Sequence, residues 1–208
     1  MKNELQNIIS GKNQVSHGTI IQAAACYLSR SAPTSRMAKK EKHYKIQETE
    51  FLKSFIAKHN LWTNFVPLDK YISEGAEQKV YLKDNKTVTK LNDSIYYSCW
   101  EDYLHSLLLH NYFFADTAYT LEGFYLESNT MYAVVSQPFV TATQVTDLSQ
   151  VKLFLEANGF VNTRNHDYCN PLLGIILEDL HDENVLTENG VLRFIDSVFY
   201  LTDNFFEK

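Results

Sequence analysis

LEDLHDENVLTENGVLRFIDSVF, residues 177–199, is the stretch of sequence that decides the fold. Two apolar runs flank Asn189-Gly190 within it, and an Asn-Gly pair between apolar runs is a strong short-range signal for a β-hairpin. A short hairpin brings its two arms side by side. Asn184 begins one arm and Asp196 follows the other, so we expect an amide and a carboxylate to converge on one point.

Oxygen atoms at that point would suit a hard cation. Mg²⁺ prefers oxygen ligands and usually shares them with substrate phosphates, so Asn184 and Asp196 are the candidate metal ligands. Asp179 lies five positions before Asn184, where its carboxylate could face the same point, orient an attacking hydroxyl and accept its proton. This spacing favours a phosphoryl-transfer site. The alternative is a polar loop and turn that carry ordinary acids and amides.

The pattern resembles the catalytic loop and metal-binding aspartate of the protein-kinase-like superfamily. The residues that carry the resemblance are DLHDEN at 179–184 and FID at 194–196. The D-L-H-x-x-N form is similar to aminoglycoside and choline kinases as much as to protein kinases. Over residues 74–200 the sequence looks closest to the kinase-like domains of polyvalent proteins from phages and conjugative elements. The resemblance implies a phosphotransferase that uses ATP and Mg²⁺, with a protein or small-molecule acceptor.

The resemblance also implies roles for upstream residues. EGAEQKVY, residues 74–81, is similar to a reduced glycine-rich loop, in which Gly75 would approach phosphates and Val80 would cover the adenine. Lys90 is placed like the lysine that contacts the α- and β-phosphates, and Glu101 like the helix glutamate that pairs with it. The alternatives are a solvated strand lysine and an ordinary exposed helix carboxylate.

SQPFV, residues 136–140, resembles the hinge that joins the two lobes of such a fold. Backbone groups there, at Gln137 and Phe139, would read the adenine edge, and Pro138 removes one donor. The alternative is a simple turn between domains.

The sequence departs from the protein-kinase pattern at two motifs. Leu177-Glu178 replaces the usual His-Arg, and Ser197-Val198 follows Asp196 in place of Phe-Gly. These departures, with a single glycine in the loop, keep two alternatives open. One is a degenerate kinase-like module that acts through nucleotide or partner binding, and the other is a non-catalytic interaction domain of a mobile element.

The order of elements predicts an α+β fold with antiparallel strands, arranged as a minimal two-lobe kinase-like fold. We expect an N-terminal helical segment (1–62), an N-lobe of a small sheet and a helix (63–140) and a shortened, truncated helical C-lobe (141–208). The amphipathic stripe of Phe51, Leu52, Phe55 and Ile56 predicts that the helical segment docks on the second lobe.

Bulk properties limit the function classes. The net charge of −6 argues against a nucleic-acid partner, because phosphate binding needs clustered Lys and Arg. Three cysteines at unrelated spacings predict neither a disulfide framework nor a zinc site. Without a long apolar run or a signal-peptide core, we expect a cytoplasmic chain with no membrane partner.

Overall fold

The structure, a computed structural model, describes residues 1–31, 42–64, 70–74 and 78–207. Its helices are α1 (Lys2–Ile9), α2 (Thr19–Ser31), α3 (Lys42–Lys58), α4 (Trp100–Phe113), α5 (Leu148–Ala157) and α6 (Asp203–Phe206). Its strands are β1 (Tyr71–Glu74), β2 (Gln78–Asp84), β3 (Thr87–Asn92), β4 (Thr120–Glu127), β5 (Thr130–Pro138), β6 (Val161–Arg164), β7 (Asp167–Asn170), β8 (Ile175–Glu178), β9 (Val185–Glu188), β10 (Val191–Phe194) and β11 (Val198–Leu201).

The strands form three antiparallel sheets, which confirms the predicted α+β class. Residues 71–138 build a five-stranded sheet in the order β1-β2-β3-β5-β4. The second half builds a four-stranded sheet in the order β11-β8-β7-β6 and the β9-β10 ribbon. The part expected to be a truncated helical lobe therefore holds six strands, with the ten-residue α5 and the four-residue α6 as its described helices.

Local turn chemistry explains the hairpins. Asn189 and Gly190 both adopt positive φ, 50° and 80°, as a type I′ turn requires, and this turn joins β9 to β10. Asp84 closes the β2-β3 turn by accepting the Lys86 amide at 2.8 Å. At α5, the Asp147 side chain accepts the Ser149 amide as an N-cap. The β9-β10 hairpin lies where Asn189-Gly190 predicts it.

Helix α4 is the centre of the hydrophobic core. It packs against α2 on one side and β11 on the other, so it joins the N-terminal helices to the C-terminal sheet. In α3, Leu52, Phe55 and Ile56 are buried, whereas Phe51 is 41% exposed. Helix α3 contacts α2 and α4, and α1 contacts α6.

None of the described helices is both long and apolar enough to cross a bilayer.

Candidate active site

Lys90 lies on the central strand of the five-stranded sheet and is almost completely buried. Strand β3 pairs with β2 and β5, and Lys90 is 3% exposed. Its Nζ donates to the Ile195 carbonyl at 2.9 Å and lies 3.6 Å from Asp196 Oδ2. The Tyr119 hydroxyl is 3.5 Å away, and that ring's centroid is at 5.4 Å. A buried ammonium needs such partners, because burying an unpaired charge is costly.

Asp196 lies between β10 and β11 and contacts residues that are far apart in the chain. Its Oδ2 accepts a hydrogen bond from Gln78 Nε2 at the start of β2, in addition to pairing with Lys90. The Asn184 carbonyl accepts the amides of Ile195 and Asp196 at 2.9 and 3.4 Å. The turn therefore places Asn184 beside the Asp196 segment, across the ribbon that Asn189-Gly190 closes.

Asp179 lies in the loop between β8 and β9, held by Asn184 and His181. Asn184 Nδ2 donates to Asp179 Oδ2 at 2.9 Å and to its carbonyl at 2.8 Å. His181 Nδ1 accepts the Glu183 amide at 3.3 Å, and His181 Nε2 lies 3.3 Å from Asp179 Oδ1 and 3.0 Å from Asn184 Nδ2. Asp179 has a φ of +65°, a conformation that non-glycine residues adopt chiefly where the surroundings enforce it.

A buried polar network fixes the Asp196 turn to α4. His110 Nδ1 lies 2.7 Å from Ser197 Oγ, and His110 Nε2 lies 3.1 Å from the Thr117 carbonyl. Because that carbonyl only accepts, Nε2 carries the proton and Nδ1 accepts from Ser197. Complete burial lowers the pKa of His110 to about 3, so the ring is neutral. Ser197, one of the residues in place of Phe-Gly, thus has a defined buried partner.

Glu101 lies at the first turn of α4, and its described contacts are with Glu48 and His105. The Glu101 amide donates to Glu48 Oε1 at 3.0 Å, and the Trp100 amide donates to Glu48 Oε2 at 2.5 Å. Glu101 Oε1 lies 3.9 Å from His105 Nε2. The described ion pair of Lys90, by contrast, is with Asp196. The pairing of Lys90 with Glu101 stays a prediction.

Glu48, Cys99 and Glu101 form a second cluster with metal-ligand spacing, their ligand atoms lying within 4.8 Å of one another. Burial raises the pKa of Glu48 to about 7, although the hydrogen bonds that it accepts from the Trp100 and Glu101 amides lower the pKa. Burial and the nearby carboxylates also raise the pKa of the Cys99 thiol well above its usual range. The thiol is therefore protonated, and the Glu48 oxygens already cap α4.

The predicted hinge residues lie partly inside the sheet. Residues 136–138 are the end of β5, with Gln137 opposite Val88. The connection to the rest of the chain therefore begins after Pro138, later than the predicted hinge. The Gln137 side chain is buried and donates to the Thr117 carbonyl at 2.7 Å. The Phe139 amide donates to the Lys86 carbonyl at 2.7 Å, whereas its side chain is 42% exposed.

Two predicted nucleotide contacts lie in the β1-β2 region. Val80 is directly opposite Lys90 in the β2-β3 register, and directly opposed residues share a face of the sheet. Gly75 falls outside the described residues.

Four residues of the site were not predicted: Gln78, His110, Tyr119 and Ser197. Their contacts with the Lys90–Asp196 region join positions far apart in the chain, which periodicity and motif spacing do not report.

Comparison with known families gives one match that covers most of the chain. Residues 45–203 match the family described as serine/threonine/tyrosine kinase found in polyvalent proteins. The chain belongs to that family. The resemblance stated from the sequence is thereby confirmed, and membership indicates kinase-like phosphotransfer. The match begins within α3 of this polyvalent-protein kinase domain, earlier than residue 74. No curated protein and no solved structure matches the chain.

Proposed function

We propose that this polyvalent-protein kinase domain is an ATP- and Mg²⁺-dependent phosphotransferase that moves a phosphoryl group to a hydroxyl of a protein or small molecule. The observation that carries the proposal is the Lys90–Asp196 ion pair, 3.6 Å long between Nζ and Oδ2, beside the Asn184–Asp179 hydrogen bond. A kinase-like site needs four side chains together: a lysine that binds phosphate, two oxygen ligands for the metal ion and a carboxylate that orients the acceptor.

The donor set fits a magnesium ion. Asp196 contributes a carboxylate that is 24% exposed, and Asn184 contributes a carboxamide. Because Nδ2 of Asn184 is the atom that contacts Asp179, the amide oxygen lies on the other branch of the side chain. Oxygen ligands of this kind suit Mg²⁺, with the remaining positions left to phosphates and water. Bound Mg·ATP would supply the transferable phosphoryl group and part of the charge neutralisation.

The protein's own residues would position the reactants. Lys90 would hold negative phosphate oxygens, since its ammonium is fixed at the face of the sheet that also carries Val80. Asp179, whose side chain is 57% exposed, can be reached by an acceptor hydroxyl. His181 and Asn184 would hold that carboxylate in place. Placement and charge neutralisation account for most of the catalysis in such a site.

Binding and turnover measurements on three proteins test the proposal. The wild-type chain should bind ATP only with Mg²⁺ present, and Asp196→Asn should weaken that binding at least about tenfold, since it removes a charged ligand. Asp179→Asn should retain binding but lower phosphoryl transfer by a factor on the order of 10² to 10⁴. Calorimetry measures the binding, and release or transfer of labelled γ-phosphate measures the turnover.

Asp182→Asn is the matched control, because Asp182 is an exposed aspartate of the same loop. It should leave both binding and turnover unchanged. Mg²⁺-dependent binding without turnover in the wild type would favour the degenerate kinase-like module instead. Absence of binding would favour the non-catalytic interaction domain.

A further inference from the structure

Gln78 and Lys90 share a single oxygen of Asp196. Gln78 Nε2 donates to Oδ2, and Lys90 Nζ lies 3.6 Å from the same atom. The three residues come from β2, β3 and the β10-β11 connection, so the contact links the five-stranded sheet to the turn after the C-terminal ribbon. Gln78 and Asp196 are 118 positions apart in the chain. The Lys90 contact fits a phosphate-binding role, whereas Gln78 has no role in the proposed reaction.

The position of Gln78 is set by the sheet register. Gln78 is opposite Asn92 in β2-β3, and Val80 is opposite Lys90. Side chains two residues apart on a strand point to the same face, so Gln78 and Val80 share the Lys90 face. Lys79 points to the other face, where its Nζ lies 3.3 Å from Glu127 Oε2. The Gln78 side chain therefore lies on the same face of the sheet as Lys90.

A hydrogen-bond donor and a metal ion compete for a carboxylate oxygen. Each carboxylate oxygen offers a small number of lone-pair directions, and Gln78 Nε2 already donates along one of those of Oδ2, while the Lys90 ammonium lies 3.6 Å away as an ion pair. A divalent cation that approaches Oδ2 from the side of Gln78 therefore displaces that donor. Lys90 carries a positive charge that phosphates would attract, so it has an alternative partner. Gln78 is neutral and would lose its hydrogen bond to a carboxylate, so its displacement costs free energy.

We propose that Gln78 competes with the divalent cation for Asp196 and so lowers the affinity of the site for the metal–nucleotide complex. The inference rests on the proposed function, since it assigns Asp196 to that cation. Gln78 is then an affinity-determining residue of the site. Removing its carboxamide should tighten binding, whereas removing a residue that contacts the nucleotide favourably would weaken it.

The test compares Gln78→Met with the wild type in calorimetric titrations of Mg·ATP and of Mn²⁺ alone. Methionine keeps the length of the side chain and removes the donor. Gln78→Met should lower both dissociation constants about two- to tenfold, the range that corresponds to one net hydrogen bond. Lys79→Met is the matched control, with the same new residue on the adjacent position and opposite face, and should leave both constants unchanged.

A second measurement examines the contact without any ligand. In thermal unfolding, the effects of Gln78→Met and Asp196→Ala should be non-additive, because each removes the same hydrogen bond. Weaker or unchanged binding by Gln78→Met, with Mg²⁺-dependent binding intact in the wild type, would overturn this inference alone. If neither protein binds Mg·ATP or Mn²⁺, the proposed function fails, and the competition fails with it.

Discussion

The imidazole of His110 and the hydroxyl of Ser197 lie 2.7 Å apart, measured from Nδ1 to Oγ, at the centre of α4's contact with the Asp196 turn. Ser197 immediately follows Asp196, so this hydrogen bond fixes the candidate metal ligand to the central helix of the core. The other side of the ring contacts the Thr117 carbonyl, which joins the same network. The network requires a neutral ring, because protonating Nδ1 would remove the acceptor that Ser197 uses.

His110 should therefore make the protein sensitive to acid. The pKa of the folded state is lowered to about 3 from the usual 6.5, so between these values the unfolded chain binds a proton that the folded chain excludes. The stabilising contribution is complete above pH 6.5 and is lost as pH falls toward 3, with a slope of about 1.4 kcal/mol per pH unit. Urea unfolding at a series of pH values measures the slope.

His110→Gln should flatten that dependence, because glutamine does not titrate, although it lowers stability at pH 7. His17→Gln is the control: His17 is exposed, and the acid slope should remain. A His110→Gln protein that loses stability on acidification as steeply as the wild type would contradict the assignment.

The sequence predicts this fold best where local chemistry decides it. Asn189-Gly190 identifies the β9-β10 hairpin correctly, because the determining groups are neighbours in the chain. The Asp84 turn and the Asp147 cap are local in the same way. The β6-β7 hairpin was not predicted. Its strands have four residues each and carry mostly polar side chains, so they lack a two-residue apolar alternation.

The candidate site shows the same division. The Asn184–Asp179 contact spans five positions and follows from one loop, whereas the Gln78–Asp196 and His110–Ser197 contacts depend on how separate sheets and α4 meet. The pairing of Glu101 with Lys90 is predicted from its place on the helix and stays a prediction. The described contacts of Glu101 are with Glu48 and His105, which belong to tertiary packing around the start of α4.

Glu48 should be the residue of α3 that most affects α4. Its two oxygens accept the Trp100 and Glu101 amides, which are among the amides that a helix leaves without intrahelical partners. Glu48→Ala would leave both buried amides unsatisfied, and we expect it to lower the free energy of unfolding by about 2–4 kcal/mol. Glu48→Gln, which keeps an acceptor, should cost less.

Glu50→Ala is the control for this helix. Glu50 is exposed and pairs with Lys53 within the same helix, and such pairs contribute about 0–1 kcal/mol. Chemical denaturation of the three variants at pH 8, above the raised pKa of Glu48, compares them with that carboxylate ionised. Equal losses for Glu48→Ala and Glu50→Ala would show that the cap does not support α4.

Leu52 tests whether α3 and the kinase-like sheets unfold as one unit. The Leu52 side chain is fully buried in the cluster that also contains Leu104 of α4 and Phe199 of β11. Leu52→Ala should therefore lower the free energy of unfolding by about 2–5 kcal/mol, as large-to-small substitutions in a packed core do. The loss should appear as an earlier single transition by both circular dichroism and Trp fluorescence, because Trp100 of α4 lies in the same cluster.

Phe51→Ala is the control, at the neighbouring position whose side chain is 41% exposed, and should lower the free energy of unfolding by less than about 1 kcal/mol. Two separate transitions in Leu52→Ala, with the second at the wild-type midpoint, would instead mean that the N-terminal helices fold independently of the sheet that carries Lys90.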